Sequence, residues 1–325
     1  MTQFKSTSQS KFAFYTSYGL SQLLPPSFMR QRRREFESFE RNQCDDVTQQ
    51  IASRTRYYNR LAQPFEVNRH AESIASVSGK GKSSAYFLEL RHYLRHFHPS
   101  LRLNYLLGDV TCVPETPYAL KSRPIGSASS NRNSVLLRLN SVRHFRFYRD
   151  RLAFRDKLPE AVWRGRSNNP ERIAFAQRYS GHPLCNIGCV SHRETRLEPY
   201  LKEFMSPQRQ LDYQFIVSVE GIDVATNLKW IMGSNSLCLM RRPRYETWFM
   251  EGHLKPGEHY VELAEDFSDL PEKVDFYRRH PAEAEQIIAN AHRHVRQFMN
   301  PKVEMLINLK VLEHYFKLSG QLACE

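Results

Sequence analysis

The stretch Glu220-Gly221-Ile222-Asp223-Val224-Ala225-Thr226-Asn227-Leu228-Lys229 carries the densest chemistry in this chain. Before it, Asp212–Val219 is rich in aromatic and β-branched residues, as a buried strand is. Gly221 can end that strand in any backbone conformation. Asp223 is a helix-capping residue, and Ala225–Met232 reads as the helix it would cap. A strand, a glycine turn and a capped helix aim free backbone N–H groups at an anion. Thr226, Asn227 and Lys229 add donors and charge, so the junction is a candidate phosphate site. The alternative is an ordinary βα turn that binds nothing.

A second stretch has the same order of parts. Trp163-Arg164-Gly165-Arg166-Ser167-Asn168-Asn169-Pro170-Glu171-Arg172 runs from strand end through glycine turn and polar loop to helix start. Pro170 suits a first helical turn. Arg172 in that turn opposes the helix dipole and calls for a partner. Glu171 is one candidate. A bound diphosphate is the other, because a guanidinium fork matches phosphate oxygens. Two such junctions in one sheet favour the phosphate reading, with Gly165 and Arg166 beside it.

Carboxylates complete the inventory. Leu101–Leu107 reads as a strand closed by Gly108-Asp109, and a group just past the C-terminal end of a strand sits where open α/β sheets bind ligands. Glu246 and Glu251 follow the strand Ser236–Met240 near the same edge. Glu246 can reach a ribose or sugar hydroxyl, whereas Glu251 reads as a helix-start glutamate favoured by the dipole.

The elements that position these residues alternate. Strands are expected at Ala161–Arg164, Leu184–Val190, Asp212–Val219, Ser236–Met240 and His259–Leu263. Helices are expected at Pro170–Tyr179, Arg196–Met205, Ala225–Met232, Tyr245–Met250, Pro271–His280, Pro281–Met299 and Lys302–Leu318. That alternation predicts a parallel, doubly wound sheet. Upstream, residues 28–62 and Tyr86–Phe97 read as helical, with Phe28, Phe36 and Phe39 near one face. A boundary near residue 155 divides an N-terminal domain, 1–155, from a C-terminal one, 156–325.

At 325 residues the chain has room for two domains, and 41% hydrophobic content supports packed cores. A net charge of +13 favours phosphorylated small molecules, anionic membranes or nucleic acid. No run reaches the roughly 18 apolar residues of a membrane span, and Met1–Ser27 is a poor signal peptide, which points to the cytoplasm. Arg30, Arg32, Arg33 and Arg34, with the basic-aromatic stretch Arg143–Arg151, are candidate contacts to an anionic membrane surface. The cluster is otherwise a solvated helix face. No nucleic-acid module is recognisable, so that partner is not expected. The cysteines are scattered. Cys185 and Cys189, near His182 and His192, match no common zinc spacing and read as strand residues. Gly79-Lys80-Gly81-Lys82-Ser83 lacks the upstream glycine and preceding strand of a P-loop.

Trp163-Arg164-Gly165, Asn169-Pro170-Glu171-Arg172 and Glu220-Gly221-x-Asp223-Val224-Ala225-Thr226-Asn227-Leu228-Lys229-Trp230 together resemble glycosyltransferase family 90, and within it the bacterial lipopolysaccharide-core enzymes of the LpsA type. Tyr245-Glu246-Thr247-Trp248-Phe249-Met250-Glu251-Gly252 and His259-Tyr260-Val261 extend the likeness, which covers about residues 100–315. The first hundred residues match no named pattern. The resemblance implies a GT-B architecture, two Rossmann-like domains facing a cleft. It implies a UDP-sugar donor held by the C-terminal domain without a metal ion, and a lipopolysaccharide-core acceptor at the inner face of the cytoplasmic membrane. It assigns Asp109 as the catalytic base of an inverting hexosyl transfer, although Val110 stands where relatives carry an aromatic residue. It assigns Arg172 to the diphosphate, with Lys229 or Arg166 replacing an arginine that relatives carry at Asn227. Alternatives are a nucleic-acid-binding protein and a GT-B-like protein without catalysis.

Overall fold

The computed structural model describes residues 11–68, 71–77, 84–166, 169–190 and 199–323. The chain begins with α1 (Lys11–Ser21), α2 (Pro26–Arg41) and α3 (Asp45–Tyr58), then β1 (Glu72–Ser73), α4 (Ser84–Leu94) and β2 (Arg102–Leu103). Three short strands follow, β3 (Tyr118–Leu120), β4 (Ser122–Pro124) and β5 (Ser134–Leu136), and then α5 (Ser141–His144). The alternating part comprises β6 (Leu158–Gly165), α6 (Pro170–Tyr179), β7 (Cys185–Cys189), α7 (Pro207–Gln210), β8 (Tyr213–Ser218), α8 (Leu228–Met232) and β9 (Leu237–Met240). The last elements are β10 (Tyr245–Thr247), β11 (Val261–Glu262), α9 (Leu270–Arg279), α10 (Pro281–Arg296) and α11 (Pro301–Leu318).

The chain divides into two compact units. One, the sheet unit, comprises Arg143–Arg244 and Glu251–Gln297; the other, the helical unit, comprises Gln9–Val142, Tyr245–Met250 and Phe298–Glu325.

The sheet unit is built on five parallel strands in the order β11-β9-β8-β6-β7. Every residue of β8 and β9 is buried, because a parallel sheet is covered on both faces and its central strands are apolar on both sides. Trp163, Phe175, Phe215, Val217, Leu239 and Val261 belong to one core, with Ile287 and Ile288 of α10. β6 pairs with β7 on one side and β8 on the other, so the strand order reverses at β6. That reversal opens a crevice beyond the carboxyl ends of β6 and β8.

The helical unit packs α11 against α2, α3 and α4, and α1 against α4. Its strands are two or three residues long. β3 pairs in parallel with β5, and Tyr105 bridges Ala119 on the other side, also in parallel. The expected strand Leu101–Leu107 is therefore an extended segment of which only Arg102–Leu103 is regular, paired antiparallel to β1.

The five strands of the alternating half fall where the sequence places them. Two helices do not. Tyr245–Met250, read as helical, instead forms β10, antiparallel to β4. The expected helix Ala225–Met232 begins only at Leu228; Asn227 is its N-cap, and the Asn227 side-chain amide turns back to β8, donating to the Val217 carbonyl at 3.1 Å and accepting from Ser218 Oγ at 3.2 Å. Arg196–Met205 lies partly outside the described residues, and the described part beyond Tyr200 is not helical. The 28–62 stretch breaks into α2 and α3, and Phe28 is exposed while Phe36 and Phe39 are half-buried. Cys185 and Cys189 are buried in β7, and burial pushes the Cys185 thiol up to about 12. His192 and Gly79–Ser83 lie outside the described residues.

Candidate active site

At the β6/β8 crevice the two sequence junctions meet, and Arg172 joins them. Asn169 caps α6, its side chain accepting from the Arg172 N–H at 2.9 Å. The same amide donates to the carbonyls of Glu220 at 3.2 Å and Gly221 at 3.1 Å. The Arg172 guanidinium donates to the Val219 carbonyl at 2.8 Å and the Glu220 carbonyl at 3.0 Å. A third bond, at 3.4 Å, reaches the Arg166 carbonyl in the β6 turn. So the arginine that opposes its helix dipole is partnered by peptide oxygens of the neighbouring junction, and burial lowers its pKa. Gly221 is where that guanidinium comes close, since a Cβ there would lie 3.4 Å from Arg172 Nη2. Gly165 has a different reason to lack a side chain: a Cβ would overlap the Trp163 ring at 2.3 Å. Ser167 and Asn168 lie outside the described residues.

Glu171 turns away from Arg172. Arg244 holds it by two bonds of 3.0 Å, and Arg241 also donates to it. Burial alone would raise the Glu171 carboxyl, but these hydrogen bonds keep it below the usual range. Arg244 reaches Glu220 as well, at 2.7 Å through Nε and 3.0 Å through its backbone N–H. Glu171, Arg244 and Glu220 thus form a rim over the crevice. Arg244 carried no sequence signal, because its partners come from the first turn of α6 and the turn after β8.

The other expected ligands divide. Thr226 and Asn227 are half-buried on the turn after β8, with Asp223 and Ala225 buried beneath them. Lys229 is fully buried, its Nζ 2.6 Å from the buried carboxylate of Glu251. It therefore cannot offer its charge to a ligand in this arrangement, and Glu251 is its counter-ion as well as the first residue of a short 3₁₀ turn. Glu246 does not lie on the edge of the five-stranded sheet. It sits in β10 of the helical unit, sealed against Arg123 at 2.7 Å, with Tyr57 also donating to it.

Asp109 belongs to the helical unit. Gly108 before it has φ of +116° with nothing near its missing Cβ, so the turn needs glycine for its angle and not for space. Asp109 is 35% exposed, and its Oδ1 is 2.5 Å from the Nζ of Lys121, which is 3% exposed. Tyr86 donates to the same oxygen at 3.2 Å. Ser122 fastens the next residue, bonding both the N–H and the carbonyl of Val110 at 3.0 Å. The result is an accessible carboxylate in a fixed orientation. Lys121 and Tyr86 were not singled out by sequence, since neither lies in a motif.

The model of glycosyl transferase family 90 matches residues 138–321. Over 309 residues the chain is 46% identical to O-glucosyltransferase LpsA of Dichelobacter nodosus, covering 95% of this chain and 96% of that one. The chain belongs to glycosyl transferase family 90. It is a glycosyltransferase, as the resemblance implied. Human protein O-glucosyltransferase 3 is 28% identical over 165 residues, 49% of this chain and 32% of its own. Protein O-glucosyltransferase 2 of Danio rerio is 24% identical over 168 residues, 50% and 33% respectively. The coverage by the Dichelobacter protein leaves few of the first hundred residues of this glycosyltransferase without a counterpart, contrary to expectation.

Among the described residues, Arg143–Arg151 offers charge but little apolar surface, because Phe145 and Phe147 are buried. Among the same residues no helix is long and apolar enough to cross a membrane.

Proposed function

We propose that this glycosyltransferase moves a hexose, glucose by likeness to its Dichelobacter relative, from a UDP-sugar to the lipopolysaccharide core. In this reading it is a GT-B enzyme working peripherally at the inner face of the cytoplasmic membrane, with inversion and without a metal ion. The observation that carries the donor assignment is the meeting of both junctions at the β6/β8 reversal, where Arg172 ties them.

The nucleoside diphosphate lies over that crevice. Arg172, Arg166 and the N–H groups after Gly165 and Gly221 collect the charge that develops as the sugar leaves. Thr226 and Asn227 line the same turn, while Asp223, Ala225 and the Lys229–Glu251 pair hold it in shape. Asp109 takes the proton from the acceptor hydroxyl as that oxygen attacks the anomeric carbon and the bond to the diphosphate breaks.

The test is UDP release from a panel of UDP-sugars, with and without truncated core oligosaccharide. Activity should survive EDTA, and a strict requirement for Mn²⁺ would refute the metal-free reading. Asp109→Asn should lower turnover by about 10²–10⁴-fold and leave UDP affinity unchanged. Near-normal transfer at saturating donor and acceptor would remove Asp109 from the mechanism.

A further inference from the structure

The chain has no acidic residue before Glu35, yet that segment contains Lys5, Lys11, Arg30, Arg32, Arg33 and Arg34. The same segment is apolar where it has no need to be. α1 buries Phe14 against Ala85 and Val142, with Tyr18 packed alongside. Its other side carries Phe12, which is 80% exposed, and at the corner into α2 stand Leu20 at 59%, Leu23 at 79% and Phe28 at 44%. Single exposed apolar residues are ordinary, but a cluster of large ones on one short segment marks an interaction surface.

The corner is held rigidly. Arg95 of α4 donates to the Ser21 carbonyl at 2.8 Å and also to the Leu24 carbonyl, and His92 meets Ser21 Oγ at 3.3 Å. Beside it runs an open groove of about 440 Å³ lined by Leu20, Leu24, Arg32 and His92, among others. Arg33 is occupied by Glu37 and Glu313. Arg32 is 41% exposed and meets Glu35 only at 4.0 Å. Arg34 is exposed, one helical turn from Arg30.

We propose that α1 and its corner with α2 form the element that docks this enzyme on an anionic bilayer. Leu20, Leu23 and Phe28 enter the boundary between headgroups and acyl chains, and Arg30, Arg32 and Arg34 meet lipid phosphates. Apolar side chains flanked by basic ones are the composition of an interfacial helix. The charge also selects the occupant: a second copy would bring the same excess of positive charge against itself, whereas an anionic lipid surface neutralises it. The inference rests on the peripheral placement proposed above and names the surface responsible.

The experiment is flotation of the full chain with phosphatidylcholine vesicles, with and without phosphatidylglycerol. The wild type should float with the anionic vesicles and not the neutral ones. Leu20→Asn with Leu23→Asn should lose binding more than about tenfold, at low and high salt alike. Arg30→Gln with Arg34→Gln should lose about thirty-fold, at low salt above all. All four sites are at the surface, so thermal melts and UDP affinity should match the wild type. A wild type that stays unbound at low salt overturns both this surface and the peripheral placement. A wild type that floats with the leucine variant floating equally overturns the surface and leaves the placement standing. Equal binding to neutral vesicles removes the arginines. A solution dimer dissolved by the leucine changes would assign the face to self-association and overturn the proposal.

Discussion

At the rim of the sheet unit, Arg244 is shared by Glu171 and Glu220 at 3.0 and 2.7 Å with its side chain 45% exposed. In the helical unit, Arg123 meets Glu246 at the same 2.7 Å, but neither side chain is more than 1% exposed. Arg54 and Glu304 form a second sealed pair there, bidentate at 2.6 and 3.0 Å. Trp248 donates to the same carboxylate at 2.5 Å, and Tyr58 lies stacked on its ring. The chemistry of the rim and of these pairs is nearly identical; the surroundings differ. Water at the rim can replace a lost partner, so the ions there are free to rearrange around a ligand. In the sealed clusters nothing can replace a partner, so those ions hold shape. The difference teaches that a charged residue inside a family motif is not thereby a ligand: Lys229 and Glu246 belong to the sealed kind.

The sharpest way to break this comparison is to remove one sealed partner. Glu246→Ala should destabilise the protein by about 3–5 kcal/mol, the cost of leaving a buried charge uncompensated. Urea unfolding measures it, and a loss near that of a surface pair, below about 1 kcal/mol, would erase the distinction.

Next in size is a pH effect in the same unit. Glu89 is fully buried, and burial pushes its carboxyl up to about 7 against the hydrogen bonds from Ser141. An acid whose folded pKa is raised binds its proton more tightly when folded. Its contribution to stability is therefore complete below the unfolded value of 4.5 and is lost as pH rises through about 7. The difference is on the order of 3 kcal/mol. Urea midpoints across that window should fall for the wild type and flatten for Glu89→Gln; parallel curves would mean that Glu89 is not the group responsible.

Arg172 lies between the two extremes, half-buried and bonded to peptide oxygens. Arg172→Ala should weaken UDP binding by about 1.5–3 kcal/mol. Calorimetry on the folded variant is the measurement, and unchanged affinity would take the diphosphate away from the crevice. The smallest change is expected at the rim. Arg244→Ala should cost no more than about 1 kcal/mol of stability and less in high salt. A salt-independent loss several times larger would show the rim to be sealed after all.

What the sequence revealed, and what it hid, follows the same division. β8 is legible because six consecutive residues are buried in a parallel sheet and read as one apolar run. α6 is legible because Asn169 and Pro170 are a cap and a first-turn proline. β10 is not: its three residues are held by β4, and Glu246 meets an arginine 123 positions earlier. Local pattern sees only an aromatic run there and suggests a helix. The late start of α8 was hidden by the same blindness, since the Asn227 side chain is tied back to the Val217 carbonyl ten residues earlier. Of the candidate site, the Arg172 crevice was readable as two motifs, while the Lys121 and Tyr86 contacts to Asp109 arise only from folding.

The helical unit is written in three separate passages of the chain, and Arg54 waits for a counter-ion 250 residues downstream. During synthesis, most of the polypeptide must therefore emerge before that unit can close. Until α11 arrives, the Arg54 guanidinium can bond the Tyr58 hydroxyl of its own helix, as it does at 3.1 and 2.9 Å, but not the Glu304 carboxylate. Such an order makes Phe298–Glu325 a timing element: a ribosome stalled after Gln297, or a nonsense codon there, would yield a chain whose sheet unit is written in full but whose α2, α3 and α4 lack the helix they pack against. Long-range closure of this kind slows folding and lengthens exposure to aggregation.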